Sequence, residues 1–399
     1  MSAVLETPQR IEPARLEEMP ETISDAIAEL VAASTRLAHA LHPQTAASLS
    51  ALVRIMNSYY SNLIEGHNTR PRDIERAVAG TLDRNPERRD LQIEAAAHVR
   101  VQAEIDRMAA GNRLPEPASV EFILWLHREF YRDMPARFLR VKNNGREFTM
   151  EPGAWRSHKD HEVVVGRHQP PASHQVGDFM AYFADRYRFD RLGKAARVAA
   201  IPAAHHRFNY IHPFPDGNGR VSRLMSHAMA HAAGIGAHGL WSISRGLARG
   251  LESRGDYKRM MDHADSPRLG DLDGRGNLSQ RALVEFMTWF LRVCLDQVTF
   301  MSGLFELDQL GKRFAVFVDR SGNLKPEAAA VLDEVLVRGN IERGDMPRIT
   351  GLPERTARRV FNDIVAAGLL ASETPKGPVS LRFPVDTLEI LFPRLFPES

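Results

Sequence analysis

Residues 212–223 read HPFPDGNGRVSR and bring together side chains suited to phosphate chemistry. His212 carries an imidazole that titrates near neutral pH, so it can take a proton from a hydroxyl. Asp216 carries a hard oxygen ligand suited to Mg²⁺ whose remaining ligands are water and phosphate oxygens; the same side chain could also cap a helix start. After the Gly217-Asn218-Gly219 turn, Val221, Leu224, Met225, Ala228 and Met229 recur at helical spacing. The turn therefore opens a helix whose first N–H groups lack partners within it, and together with the positive end of the helix dipole they attract an anion. Glycine on either side of Asn218 lets a phosphate approach the backbone closely. Arg220 and Arg223 stand three residues apart on neighbouring positions of one face, where a guanidinium can take two phosphate oxygens at once. Pro213 and Phe214 read as anchors of the loop in the core.

The segment resembles the signature loop of the Fic (Fido) family, H-x-F-x-(D/E)-G-N-G-R-x-x-R, at every fixed position, and the lead-in AAHHRFNYIHPF from Ala203 resembles the helix before that loop. The resemblance implies transfer of a nucleoside monophosphate, usually AMP from ATP, to a tyrosine, threonine or serine hydroxyl of a target protein. It assigns to His212 the proton of the attacking hydroxyl. Gly217, Asn218 and Gly219, with the Asn218 side chain, would receive the α- and β-phosphates, Arg220 the β-phosphate region and Arg223 the γ-phosphate. Tyr257, in RGDYKRMMDHAD, lies where relatives contact the nucleobase, although an aromatic packed in the core would read the same. Because Gly219 is retained, phosphotransferase variants of the loop are a poorer match.

A second segment bears on where the γ-phosphate sits. Residues 61–66, SNLIEG, resemble the family's inhibitory pattern (S/T)-x-x-x-E-(G/N), with Ser61, Glu65 and Gly66 as its fixed members. By that resemblance Glu65 pairs with Arg223, takes the partner of the γ-phosphate and leaves ATP in an unproductive pose, either within one chain or across a homodimer. In some relatives the same glutamate assists hydrolytic removal of AMP, so a de-AMPylase, or a transferase using another nucleotide donor, is an alternative. The other histidines, His205 and His206 among them, read as hydrogen-bonded structural residues.

The composition is that of an ordinary soluble globular protein, with 43% hydrophobic and 26% charged residues over 399 positions, enough for two or three domains. A net charge of +2 gives no general pull toward nucleic acid or anionic lipid. The single cysteine, Cys294, sits in an apolar run and reads as core; no intramolecular disulfide can form. With no apolar stretch of membrane-spanning length and no apolar centre in MSAVLETPQRIEPARLEEMPE, a cytoplasmic protein without membrane contact is expected.

The elements that must position the site are mainly helical. Residues 1–20 offer little to bury and are expected to be a mobile arm. An N-terminal helical region over 21–110 has breaks near His42-Pro43 and Asn85-Pro86 and carries the SNLIEG segment. The Fic catalytic core is placed at 111–315, with helices over about 120–133, 176–233 (interrupted by the loop) and 279–304. Between Lys142 and Pro171 helical periodicity stops. The β-prone run Val163–Val165 there suggests a two-stranded hairpin, which by resemblance is the flap on which a target segment would lie. Residues 324–399 read as helix, helix-turn-helix and short hairpin, in the order of a small winged helix-turn-helix domain. Its second helix, 353–367, carries Arg355, Arg358 and Arg359, which could grip DNA phosphates. The unit holds ten Lys/Arg against eleven Asp/Glu, so it lacks the basic surplus of most DNA-binding modules. The rival reading from another class is a DNA-binding regulator whose core senses a nucleotide.

Overall fold

Proline opens three of the first four helices, as its fixed φ and missing N–H favour. In the computed structural model, which describes residues 6–143 and 146–396, α1 (Glu21–His39) is followed by α2 (Pro43–Ile64), α3 (Pro71–Val78) and α4 (Pro86–Ala110). The His42 ring caps α2 by accepting from the Gln44 N–H, and Asn85 caps α4 through Glu87 and Arg88. Next come α5 (Val120–Tyr131), the antiparallel strands β1 (Arg140–Asn143) and β2 (Arg146–Thr149), α6 (Val176–Arg186), α7 (Lys194–Ile211) and α8 (Asn218–Ala232). The series continues through α9 (Ile243–Arg249), α10 (Asp256–Ala264), α11 (Gln280–Leu304) and α12 (Leu307–Ser321). A C-terminal group of α13 (Glu327–Arg338), α14 (Met346–Thr350), α15 (Glu354–Ala366), β3 (Leu370–Ala371), β4 (Ser380–Leu381) and α16 (Leu388–Leu391) completes it. The fold is mainly α, as expected. Among the described residues no helix is long and apolar enough to cross a membrane.

The centre of the molecule is α7. It is buried on nearly every side from Val198 to Ile211, so its polar residues must find partners inside. Helix α8 packs against it, α11 runs along α1 and α7, and α2 lies between α4 and α9. Cys294 is buried within α11.

Two expectations change. Residues 6–20 are not a free arm: Ile11 and Ala14 are fully buried, and Glu12 accepts from Tyr182 Oη (2.5 Å) and pairs with Arg186 Nε (2.7 Å). The buried Arg207 guanidinium of α7 donates to the Pro13 carbonyl through Nε and Nη2 (3.2 and 2.9 Å). Low apolar content misled here, because two small anchors and a set of hydrogen bonds hold the segment. Residues 1–5 of the expected arm, 144–145 within the hairpin and 397–399 lie outside the described residues. Second, the hairpin sits earlier than the β-prone run implied, with Arg140 opposite Thr149, while Val165 makes only an isolated bridge to His168. Cross-strand neighbours, not side-chain type, decide pairing.

The C-terminal group is packed on α2. Thr45 Oγ1 donates to the Leu336 carbonyl (2.8 Å), Tyr60 Oη to that of Leu395 (3.1 Å), and the Tyr59 ring meets Phe396 edge to face. Helix α12 runs past residue 315, packs on α13 and α16, and ends at Gly322 with φ +67°.

Replacing Arg207 by methionine strands the Pro13 and Ala264 carbonyls in the interior, at about 1–3 kcal/mol for each buried group left unpaired. The expected result is a lower thermal midpoint and new proteolytic cleavage within residues 6–20, read by fragment mass. Cleavage identical to wild type would show that Arg207 does not hold the segment.

Candidate active site

Helix α7 ends on His212, whose backbone adopts φ +50°, ψ +60°. That left-handed conformation costs a non-glycine residue about 1–2 kcal/mol, so the surroundings must impose it. Arg156, fully buried, does so. Its Nε donates to the His212 carbonyl (2.7 Å), its Nη2 to those of Pro171 (2.6 Å) and Ile211 (3.1 Å), and its Nη1 to Ser173 Oγ (2.9 Å). The Arg156 N–H also donates to the Pro213 carbonyl (2.9 Å). One side chain thus fixes the end of α7 and ties the segment after β2 to it. Burial pushes the guanidinium of Arg156 down to about 10, still charged at neutral pH.

The chain then turns through Pro213–Gly217 into α8. Phe214 is fully buried and stacks on the His127 ring, with centroids 3.9 Å apart. Gly217 has φ +82°, and a Cβ there would meet Tyr131 Oη at 2.8 Å, so glycine is required twice over. The Asn218 side chain closes the loop on itself, its Oδ1 accepting from the Phe214 N–H (2.9 Å) and its Nδ2 donating to the Phe214 carbonyl (2.8 Å). This differs from the expectation that the side chain faces phosphate, since its oxygen and one N–H are taken by the turn. No side chain caps α8. Asp216 is exposed and accepts from Tyr131 Oη (2.9 Å) through Oδ2, so the capping alternative does not hold.

His212 is half-buried, and among the described residues its Nδ1 has no hydrogen-bond partner. Burial pushes the imidazole down to about 4, with the Arg156 charge acting in the same sense and the Asn209 carbonyl opposing. It is therefore neutral, and a proton acceptor, at physiological pH.

Both arginines of α8 are buried and both meet a carboxylate. Arg223 donates through Nε to Ser61 Oγ (2.9 Å) and through Nη2 to Glu65 Oε1 (2.6 Å) and the Ser61 carbonyl (3.3 Å). Arg220 pairs with Glu94 of α4 and lies over the Phe130 ring, 5.5 Å from its centroid. Burial pushes the Glu65 carboxyl up, but the Arg223 and Arg220 charges outweigh it and hold Glu65 below the ordinary carboxylate value. Glu65 directly follows α2 as its C-cap, and Gly66 (φ +84°) turns the chain away, with the His67 N–H returning to the Asn62 carbonyl (2.9 Å). A Cβ on Gly219 would collide with the Glu65 carboxylate, so the contact depends on glycine in the loop.

Tyr257 lies beside this cluster, but its hydroxyl shares a hydrogen bond with His205 Nε2 (2.8 Å) and its ring lies parallel to Trp289. Burial pushes its phenol up to about 12. The structure thus brings His212, Asp216, the 217–219 turn, Arg220, Arg223, Ser61 and Glu65 to one place, with Tyr257 at its edge. Sequence reading missed Glu94, Arg156 and Tyr131. A charge amid the small residues of QIEAAAH was a faint sign of Glu94; nothing local distinguishes the other two.

Residues 117–230 match the family described as Fic/DOC. This stretch is similar to a Fic domain. The Fic fold is seen also in a crystal structure of a Fic family protein from Desulfovibrio desulfuricans. That chain superposes with a TM-score of 0.53 at 17% identity, over 92% of this chain and 98% of its own length. A Fic domain containing signaling protein from Bacteroides thetaiotaomicron gives 0.50 at 19% identity, over 69% of this chain and 96% of its own. At these identities the likeness concerns the fold. Among curated proteins, a protein adenylyltransferase Fic of Nematostella vectensis is 28% identical over 181 residues, 44% of this chain and 37% of its own length. One from Drosophila willistoni is 36% identical over 73 residues, 18% of this chain and 15% of its own. The chain therefore spans little more than a third of these relatives at most.

His205 and His212 are neutral in the folded protein, with values pushed down to about 3 and about 4 mainly by burial. Unfolding exposes them to protonation below the ordinary imidazole value of about 6.5. The unfolded chain then binds more protons, so stability should fall as pH drops from about 6.5 toward 4, by up to about 1.4 kcal/mol per pH unit for the fully buried His205. Thermal midpoints across pH 4–7.5, with NMR titration of the His212 ring, check this. An imidazole midpoint near 6.5 for His212 would refute the burial effect.

Proposed function

We propose that the protein is a nucleotidyltransferase that transfers AMP from ATP to a hydroxyl side chain of a target protein, restrained by Glu65. The observation that carries this reading is the convergence of a neutral imidazole, an uncapped helix start and two buried arginines within a single loop-helix unit. His212 would take the proton as the hydroxyl oxygen bonds to the α-phosphorus. The bond from that phosphorus to the bridging oxygen breaks, and pyrophosphate leaves. First-turn N–H groups of α8 with Arg220 and Arg223 would hold the leaving phosphates, whose charge must be neutralised opposite the nucleophile. Mg²⁺ would come with the nucleotide. The lone exposed carboxylate of Asp216 beside uncapped N–H groups fits an ion whose other ligands are phosphate oxygens and water. The relatives named protein adenylyltransferase support this chemistry for the domain they share.

Restraint follows from the Glu65–Arg223 pair at 2.6 Å, which occupies the guanidinium a γ-phosphate would need. A second reading draws on the same contact: Glu65, ionised and partly exposed, could orient a water against an AMP-modified protein and reverse the modification. The target segment would pair with the hairpin region around 142–171. The order of α13–α15 and the β3–β4 hairpin supports a winged helix-turn-helix unit, and Arg355, Arg358 and Arg359 are exposed on α15, where DNA or a protein could meet them. A lone buried cysteine accords with a cytoplasmic setting.

Incubation with ATP labelled at the α-phosphate tests the reading. Autolabelling should be weak in the wild type and about 10-fold or more stronger in Glu65→Gly. It should fall by about 10²–10⁴ in His212→Ala made in that background. Equal labelling of wild type and Glu65→Gly would refute the restraint; labelling that survives His212→Ala would refute the chemistry.

A further inference from the structure

Toward the other end of α8 lies a second cluster that the transfer chemistry does not use. His227 and His231 are one turn apart, so their rings share a face of the helix. Both point at Asp106, near the end of α4. His227 Nε2 lies 2.7 Å from Asp106 Oδ1, His231 Nε2 lies 3.1 Å from the same oxygen, and the two Nε2 atoms are 3.2 Å apart. We propose that Asp106, His227 and His231 bind a zinc-class divalent ion.

The donor set is two imidazole nitrogens and one carboxylate oxygen, all within 4.8 Å of one another. Nitrogen ligands of this kind favour Zn²⁺ and its first-row neighbours over Mg²⁺ or Ca²⁺. The triangle also has the right size: with bonds of about 2.0–2.1 Å, two ligands of a tetrahedral ion stand about 3.3 Å apart. The other carboxylate oxygen is already fixed, because Arg54 Nη1 donates to Asp106 Oδ2 (2.8 Å). That bond leaves Oδ1 to the ion and sets the carboxylate's plane, as an outer-shell partner does. The chain from 236 to 239 crosses closely over the cluster, where a Cβ on Gly236 would meet the His231 ring and one on Gly239 the Asp106 carboxylate. Without an ion, protons on both Nε2 atoms would satisfy Oδ1 but set two N–H dipoles side by side. A cation at the centre replaces both protons and attracts all three donors.

Three protein ligands leave a fourth position for water, and the three side chains keep 12%, 6% and 9% exposure, enough for solvent to reach one side. The ion would fasten α4 to α8. Those helices also carry Glu94 and Arg220, so the clamp sets the frame in which the loop arginines are held.

The test uses the full chain, free of affinity tags and stripped with chelator. Titration with Co²⁺ should reach a visible absorption plateau at one equivalent, with bands of a four- or five-coordinate ion that Zn²⁺ displaces. Zn²⁺ should also raise the thermal midpoint. His231→Asn should weaken binding at least about 100-fold, while His174→Asn, at an exposed position outside the cluster, should bind like wild type. The wild-type spectrum decides the matter even if His231→Asn fails to fold. Absence of those bands, or equal uptake by wild type and a folded His231→Asn, overturns the proposal.

Discussion

Two guanidiniums buried within the first two turns of a single helix would repel each other and pay the full cost of lost hydration if nothing answered them. In this protein each is answered by a carboxylate from a different helix: Arg220 by Glu94 of α4 and Arg223 by Glu65 at the end of α2. This double pairing is the constraint around which the rest is arranged. It requires α2 and α4 to flank α8, glycine at 219 to admit Glu65, and a helix end at 65 sharp enough to aim a carboxylate into the loop. The arginines can then remain charged in the interior.

A second buried arginine system keeps the loop in register. Arg156 and Asn218 both hydrogen-bond to backbone groups of residues 211–214, and the Arg156 bonds hold His212 in a left-handed conformation. A rigid turn of this kind keeps the imidazole near the start of α8 while Phe214 fills the core beneath. The proposed transfer would draw on such preorganisation, because positioning and charge stabilisation supply most of the acceleration in phosphoryl and nucleotidyl transfer.

The packing of the C-terminal group on α2 has a consequence for that constraint. Thr45, Tyr59 and Tyr60 of α2 are bound to residues between Leu336 and Phe396, and the same helix ends at Glu65. The C-terminal group is thus attached to the helix whose end delivers the carboxylate to Arg223. The packed face of α2 is therefore as much a part of the site's surroundings as the loop itself.

The turn and helix start of the 212–223 loop were legible from spacing, glycine placement and apolar periodicity because they are local, while SNLIEG was picked out only by its resemblance to a family pattern. The mainly helical fold was legible for the same reason as the loop. Long-range pairing was not. That Glu94 answers Arg220, that Arg156 pins His212, that Asn218 turns inward and that residues 6–20 dock on α6 and α7 depend on which groups meet once the helices pack. Buried polar groups choose partners by proximity and geometry, and neither is encoded in the separation of residues along the chain. The amino-acid order thus determined which chemistry was present and on which elements. The folded arrangement decided what each charged group holds.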